Sequence, residues 1–170
     1  QKMVEAGCTY CFMEVSSHAV VQHRITGLRI AGGIFTNITH DHLDYHKTFE
    51  AYIKAKKGFF DKLPSDAFAL VNADDRNGKV MLQNCKASKY TYALKSDAVF
   101  KCRILESNFN GLLLNIDGHE VLTLLIGNFN AYNLLGVYAT AILCGIDKLK
   151  VLAALSTLTP PEGRFEFFVS

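Results

Sequence analysis

This sequence predicts an α/β fold with a mainly parallel sheet flanked by helices and a peripheral antiparallel β section, on three observations. Short apolar runs at 9–15, 33–35 and 67–72 alternate with segments of helical period, the pattern of strands joined by crossover helices. From 89 to 126 the texture changes to short alternating runs punctuated by turn residues, which points to antiparallel hairpins. With 170 residues and no internal repeat, the chain is sized for one domain with a full hydrophobic core.

Each element has a local cause. The 9–15 run is rich in strand formers and carries Glu14 near its end, which places Glu14 at the edge of the sheet. Ser16 and Ser17 are good helix N-caps, so a helix of modest length follows through Gln22 and closes near Gly27. Gly33-Ile34-Phe35 reads as a buried strand, and it runs into a polar cluster that holds His40, Asp41, His42, Asp44 and His46. That cluster falls at the C-terminal end of a strand, where open α/β sheets place their ligands. Its side chains could hold a metal or move protons; the plainer alternative is a loop that caps the next helix through Thr39 or Asp41.

Residues 48–62 show helical spacing in Phe49, Tyr52, Ile53, Phe59 and Phe60, with Pro64 shortly beyond the end. Lys54, Lys56 and Lys57 lie on this helix, where a basic face is ordinarily just solvated. A strand at 67–72 leads into Ala73-Asp74-Asp75 and a short helix to about residue 84. Turns follow at 108–111 and at Asp117-Gly118, the second a strong hairpin signal. Helices return at 128–144 and 148–155; Pro160-Pro161 breaks the chain, and a last short strand opens at 163–166.

Composition narrows the function classes. Hydrophobic residues at 49% and charged residues at 20% are ordinary for a soluble globular protein. The net charge of +2, without a basic stripe, argues against a nucleic-acid surface. No apolar run approaches the roughly 18 residues of a membrane span, and the N-terminus lacks a signal-peptide pattern, so a cytoplasmic protein is expected. Five cysteines, mostly within apolar segments, suit reduced, buried thiols. Cys8 and Cys11 have the spacing of a redox or zinc half-motif, but no second pair follows.

If the strand ends are adjacent, Glu14 and His42 meet at one rim of the sheet. A carboxylate and an imidazole could share a divalent cation there: magnesium, which needs few protein ligands, or zinc, which wants more nitrogen or sulphur. The residues themselves lead no further than a metal-assisted reaction or binding site.

Two resemblances extend this. His40-Asp41-His42-Leu43-Asp44 after a strand resembles the HxHxDH motif of the metallo-β-lactamase-like hydrolases, in which zinc activates water. Tyr45 stands where that motif needs its last His, and His46 comes one place too late.

The second covers essentially the whole chain. MEVSSH at 13–18, VQHR at 21–24, FTNI at 35–38, DHLDYH at 41–46, VNADD at 71–75, GNFNAYN at 127–133 and GRFE at 163–166 occur in that order. Together they resemble the central, ATP-binding domain of a Mur ligase, most of all a ligase that adds a diamino acid to UDP-N-acetylmuramoyl-L-alanyl-D-glutamate.

That resemblance implies the rest. The fold would be an incomplete P-loop-type central domain over residues 1–163, with 164–170 opening the junction to a C-terminal domain. The function would be ATP-dependent amide formation through an acyl phosphate in peptidoglycan synthesis, with meso-diaminopimelate or L-lysine as the amine. Glu14 and His42 would be magnesium ligands, with His42 also catalytic, and Lys56 would be the lysine carbamylated by carbon dioxide, serving both metal and catalysis. Ser16, Gln22 and Arg24 would hold the UDP-muramoyl dipeptide; Asn130, Asn133 and Arg164 would contact ATP. The alternatives for Ser16, Asn130 and Asn133 are plain helix capping, and for Arg164 an ordinary surface position. Asp44 would orient a ligand, while His18, His40 and His46 belong to the motifs without a separate role. A Mur ligase also needs a GxxxxGK[ST] loop, and Gly78-Lys79 lacks both the earlier glycine and the following hydroxyl residue. The chain is therefore expected to be a fragment, inactive alone, whose N-terminal and C-terminal domains lie elsewhere in the enzyme. A binding module without catalysis is the non-enzyme alternative.

Overall fold

The computed structural model describes residues 2–38 and 48–159. Among them, six strands form one sheet in sequence order: β1 (Gly32–Phe35), β2 (Phe68–Asn72), β3 (Ser88–Ala93), β4 (Phe100–Asn108), β5 (Gly111–Ile116) and β6 (His119–Thr123). β1 to β4 pair in parallel, and β4-β5-β6 pair antiparallel. The helices are α1 (Lys2–Glu5), α2 (Ser17–Val21), α3 (Phe49–Asp61), α4 (Gly78–Leu82), α5 (Asn128–Leu143) and α6 (Lys148–Ser156).

The two faces of the sheet separate by the two-residue period of the strands. On β2, Ala69 and Val71 point into a core shared with Phe60 of α3 and Met81 of α4. Leu70, between them, points into the opposite core with Leu134 and Leu135 of α5 and Leu152 of α6. Helices on both faces explain why β2 reads as a continuous apolar run. Thr48 and Asp147 cap α3 and α6 by accepting from the amides of Ala51 and Lys150, both at 3.1–3.2 Å. Asp117 and Gly118, at φ 49° and 83°, make the two-residue turn that joins β5 to β6.

The expectations change in four places. The 9–15 run forms no strand: the chain is irregular there, and Tyr10, Phe12 and Met13 are exposed. β-branched and aromatic residues favour a strand only when a neighbouring strand receives them, and no described strand pairs with this segment. Residues 88–93 are a parallel strand, so the antiparallel texture begins at β4. That section lies at one end of the sheet, yet Leu112, Leu114 and Ile116 are fully buried under α5 and anchor the larger core. Cys8 and Cys11 are exposed free thiols, in contrast to buried Cys85 and Cys102. The strand expected at 163–166 lies outside the described residues.

Candidate functional site at the strand exits

The C-terminal ends of β1, β2 and β3 and the first turn of α5 converge on one rim. A cavity of about 380 Å³ opens beside β1, between the 11–17 segment, the exit of β1 through Thr36 and Asn37, and α3. Glu14 and Lys56 both line it. Lys56 is half-buried, and loss of hydration lowers its pKa from the ordinary lysine value while the negative charge of Glu14 opposes the change. Its Nζ lies 5.2 Å from the centroid of the Tyr52 ring one turn earlier on α3, close enough for a cation–π contact. Glu14 itself is exposed and stands on irregular chain, so the cavity, and not a strand end, brings it to Lys56.

The neighbouring lysines differ. Lys54 is exposed, as expected of a solvated face. Lys57 is a correction: its side chain is largely buried and pairs with Asp61 one turn on.

Ser16 lines the same cavity and caps α2, its Oγ accepting from the Ala19 amide at 3.2 Å. The capping expectation is therefore met, and Gln22 and Arg24 follow as exposed residues at and beyond the end of α2. His42 and Arg164 lie outside the described residues, with His40, Asp41, Asp44 and His46.

A second cluster stands where β2 ends. The carboxylate of Asp74 accepts from the amides of Leu94 and Lys95 at 2.9 Å and of Ser96 at 2.7 Å, all just after β3. It also accepts from the Tyr132 hydroxyl, at 2.9 Å, on α5. Burial works to raise the Asp74 pKa, but the Ser96 side chain and the three amides outweigh it and hold the group well below the usual carboxylate range. Burial and the Asp74 carboxylate together push the Tyr132 phenol up to about 12. Asp75 reaches the other way: its Oδ2 accepts from the Ile38 amide at 3.1 Å, just past β1. Its Oδ1 accepts from the Asn77 amide and side chain. One acidic pair thus laces the exits of three strands to α5.

Asn130 and Asn133 share one flank of α5. The Asn133 side chain donates to Asn130 Oδ1 at 3.1 Å, and Asn130 Nδ2 donates to the Ile126 carbonyl at 2.8 Å. Neither asparagine caps the helix: the N-cap is Gly127, no side chain bonds the first-turn amides, and Asn130 donates to a carbonyl, while Asn133 is exposed and borders an apolar cavity of about 480 Å³ against Ile34 and Val137. Gly78 is explained by packing: a Cβ there would lie 2.3 Å from the Asn72 carbonyl oxygen, so the residue lets α4 start against the end of β2.

Sequence reasoning assigned no role to Asp74, Asp75 or Tyr132. The signal was a pair of acids directly after a buried strand, where Asp side chains accept from nearby backbone amides.

The rim can carry an anion-handling reaction: a lysine whose free amine is favoured by burial, a facing carboxylate, and amide-bearing side chains at a helix start. Magnesium fits this donor set if oxygen ligands come from Glu14, from water and from a substrate phosphate, since an ammonium offers it none. Among the described residues, no three His, Cys, Asp or Glu side chains gather as a metal cluster. No helix among them is long and apolar enough to cross a membrane.

Comparison with known proteins agrees with the fold. The family model described as the Mur ligase middle domain matches residues 1–141. The UDP-N-acetylmuramoyl-L-alanyl-D-glutamate–2,6-diaminopimelate ligase of Cytophaga hutchinsonii is 61% identical over 168 residues, covering 99% of this chain and 35% of that protein. The ligase of the same name from Parabacteroides distasonis is 61% identical over 165 residues, covering 97% and 34%. A solved structure of a ligase so named superposes with a TM-score of 0.87 at 28% identity, over 98% of this chain and 36% of that one. MurF from Acinetobacter baumannii, at 15% identity and a TM-score of 0.75 over 84% of this chain and 32% of its own, shares the fold. The chain spans about a third of the length of the curated relatives it matches.

Proposed function

We propose that this chain, which belongs to the Mur ligase middle-domain family, is the central part of an ATP-dependent ligase that joins a diamino acid to UDP-N-acetylmuramoyl-L-alanyl-D-glutamate in the cytoplasm, for peptidoglycan synthesis. The amine is 2,6-diaminopimelate, for which the similar ligases are named. The observation that carries this proposal is the pairing of Glu14 with half-buried Lys56 in one cavity at the exit of β1.

The chemistry follows from charge. The γ-phosphoryl of ATP passes to the substrate carboxylate to give an acyl phosphate and ADP; the amine attacks the acyl carbon; the tetrahedral intermediate expels phosphate and leaves the amide. Such a reaction is governed by positioning and by neutralising phosphate charge, and a bound magnesium ion supplies part of that neutralisation. Glu14 and His42 are its proposed ligands. Burial raises the share of neutral Lys56 amine, which can attack carbon dioxide at carbon and lose a proton to become a carbamate. That converts a cation that repels magnesium into an anion with two oxygens to offer it. Ser16 lines the same cavity and, with Gln22 and Arg24 at and beyond the end of α2, is proposed to hold the UDP-muramoyl dipeptide. Asn130 and Asn133, with Arg164, are proposed for ATP. Domains on either side of residues 1–163 complete the enzyme.

The test is phosphate release by a ligase of the relatives' full length that carries this chain, supplied with ATP, magnesium, UDP-muramoyl dipeptide and a panel of amino acids. Release that requires the dipeptide and diaminopimelate, and that disappears in Lys56→Ala, is expected. Release without the dipeptide, or none with any amine from a folded protein, overturns the proposal.

A further inference from the structure

We infer that Asp74 and Tyr132 form a positioning device for ATP: the Asp74 carboxylate, pinned by the exit of β3, grips the Tyr132 hydroxyl and so fixes the orientation of the first turn of α5 and its two asparagines. The inference rests on the proposal above that Asn130 and Asn133 face the nucleotide.

Three observations carry it. Asp74 receives the backbone amides of residues 94–96, the Ser96 side chain and the Tyr132 hydroxyl, so its carboxylate has little freedom of its own. It is an anchor fixed to the sheet. Tyr132 lies between Asn130 and Asn133 on a helix of sixteen residues, about 160° round the axis from Asn130 and 100° from Asn133 at the ordinary α-helical pitch. Holding its ring therefore sets the angle at which the asparagine flank is presented. The N-cap itself offers no such control, because Gly127 has no side chain to bond the helix start. A hydrogen bond from a phenol to an ionised carboxylate is favoured over one between neutral groups, and here, at 2.9 Å, it connects a strand exit to a helix.

The same helix supplies its own control. Six residues on, the Tyr138 hydroxyl donates to Asp117 Oδ2 at 2.7 Å, at the β5–β6 turn on the far side of the core. Both bonds join a tyrosine of α5 to an aspartate just past the end of a strand. Only the first lies beside the asparagines.

The experiment uses the full-length ligase and measures KM for ATP, KM for the UDP-muramoyl dipeptide, kcat and the urea midpoint. Tyr132→Phe is expected to raise KM for ATP about fivefold, with KM for the dipeptide and kcat at saturating ATP within twofold. Asp74→Asn is expected to move KM for ATP in the same direction, and the double variant to be no worse than Asp74→Asn alone. Tyr138→Phe should lower the urea midpoint and leave KM for ATP unchanged. Should Asp74→Asn fail to fold, the contrast of Tyr132→Phe with Tyr138→Phe still decides. Asn133→Ala separates the layers of the argument. If it raises KM for ATP tenfold while Tyr132→Phe does not, the positioning inference is overturned and the assignment of the asparagines stands. If Asn133→Ala leaves KM for ATP unchanged, that assignment fails and the inference falls with it.

Discussion

The parallel strands β1 to β3 and the antiparallel strands β4 to β6 belong to one sheet and draw on similar apolar residues, yet they finish differently. β1, β2 and β3 exit into polar residues: Thr36 and Asn37, then Asp74 and Asp75, then Lys95 and Ser96. β4 and β5 end in tight turns and β6 runs on into α5; the chemistry of these strands is that of a core, with Leu112, Leu114 and Ile116 fully buried. A parallel strand must send its chain over the sheet before returning, so each exit is a free end at which a side chain can be placed; a hairpin spends that end on its turn. The site belongs to the first half for this reason, and the second half holds the helix on which half of the site rests.

A pair of substitutions in the full-length ligase separates the two halves of the sheet most strongly. Lys56→Ala should lower turnover by about 10³-fold or more, on the scale of losing one group that stabilises developing charge, with little change in urea midpoint. Leu114→Ala should do the reverse: a loss of about 2–5 kcal/mol, from a cavity in a closed core, with kcat per folded molecule nearly unchanged. Urea melts and initial rates measured on both variants check this. A Leu114→Ala protein that is folded but slow would mean that the antiparallel half shapes the site directly.

Much of this division is legible in the residues. The period-two runs, the Asp117-Gly118 turn and the capped helices each have a local cause, so α3, α5, α6, β2 and the β5–β6 hairpin lie close to where the sequence puts them. The 9–15 segment does not, because strand propensity is realised through a neighbour that sequence cannot display. The same limit applies to Lys57 and Lys56, adjacent on one helix: one is held by Asp61 and the other faces Glu14, and only packing tells them apart. The Asp74–Tyr132 bond spans 58 positions, a separation over which no spacing rule operates.

That bond also carries a pH signature. Tyr132 has a folded pKa raised to about 12, above the value of about 10 for an unfolded tyrosine. Below pH 10 the hydroxyl is protonated in both states and its contribution to stability is complete. Between about 10 and 12 the unfolded chain ionises first, so stability falls as pH rises. Tyr92 and Tyr138 are raised further and add to this alkaline slope, so the variant is what isolates Tyr132. Urea midpoints across this window should fall less steeply in Tyr132→Phe than in the parent. Asp74 acts at the opposite end: its lowered folded pKa gives stability that is present above the usual carboxylate range and lost as pH falls through the lowered value. Equal alkaline slopes for parent and variant would mean that the phenol is not held by the carboxylate in solution.

The smallest effect concerns the thiols, and it tests whether the halves open separately. Cys8 and Cys11 are exposed and should be alkylated at once under native conditions. Burial pushes Cys102, on β4, up to about 12 from an ordinary value of 9.0, which leaves on the order of 10³-fold less thiolate at neutral pH. Its modification therefore waits for an opening of the larger core under α5. Cys85 belongs to the smaller core of α3 and α4, with 6% of its surface exposed against 1% for Cys102. A smaller core with fewer buried apolar contacts opens at lower cost, so mass spectrometry over time should find Cys85 modified before Cys102. Equal rates would show a single cooperative unit across both faces. The parallel exits would then be as rigid as the hairpins, and the site would owe its form to the whole sheet instead of to one half of it.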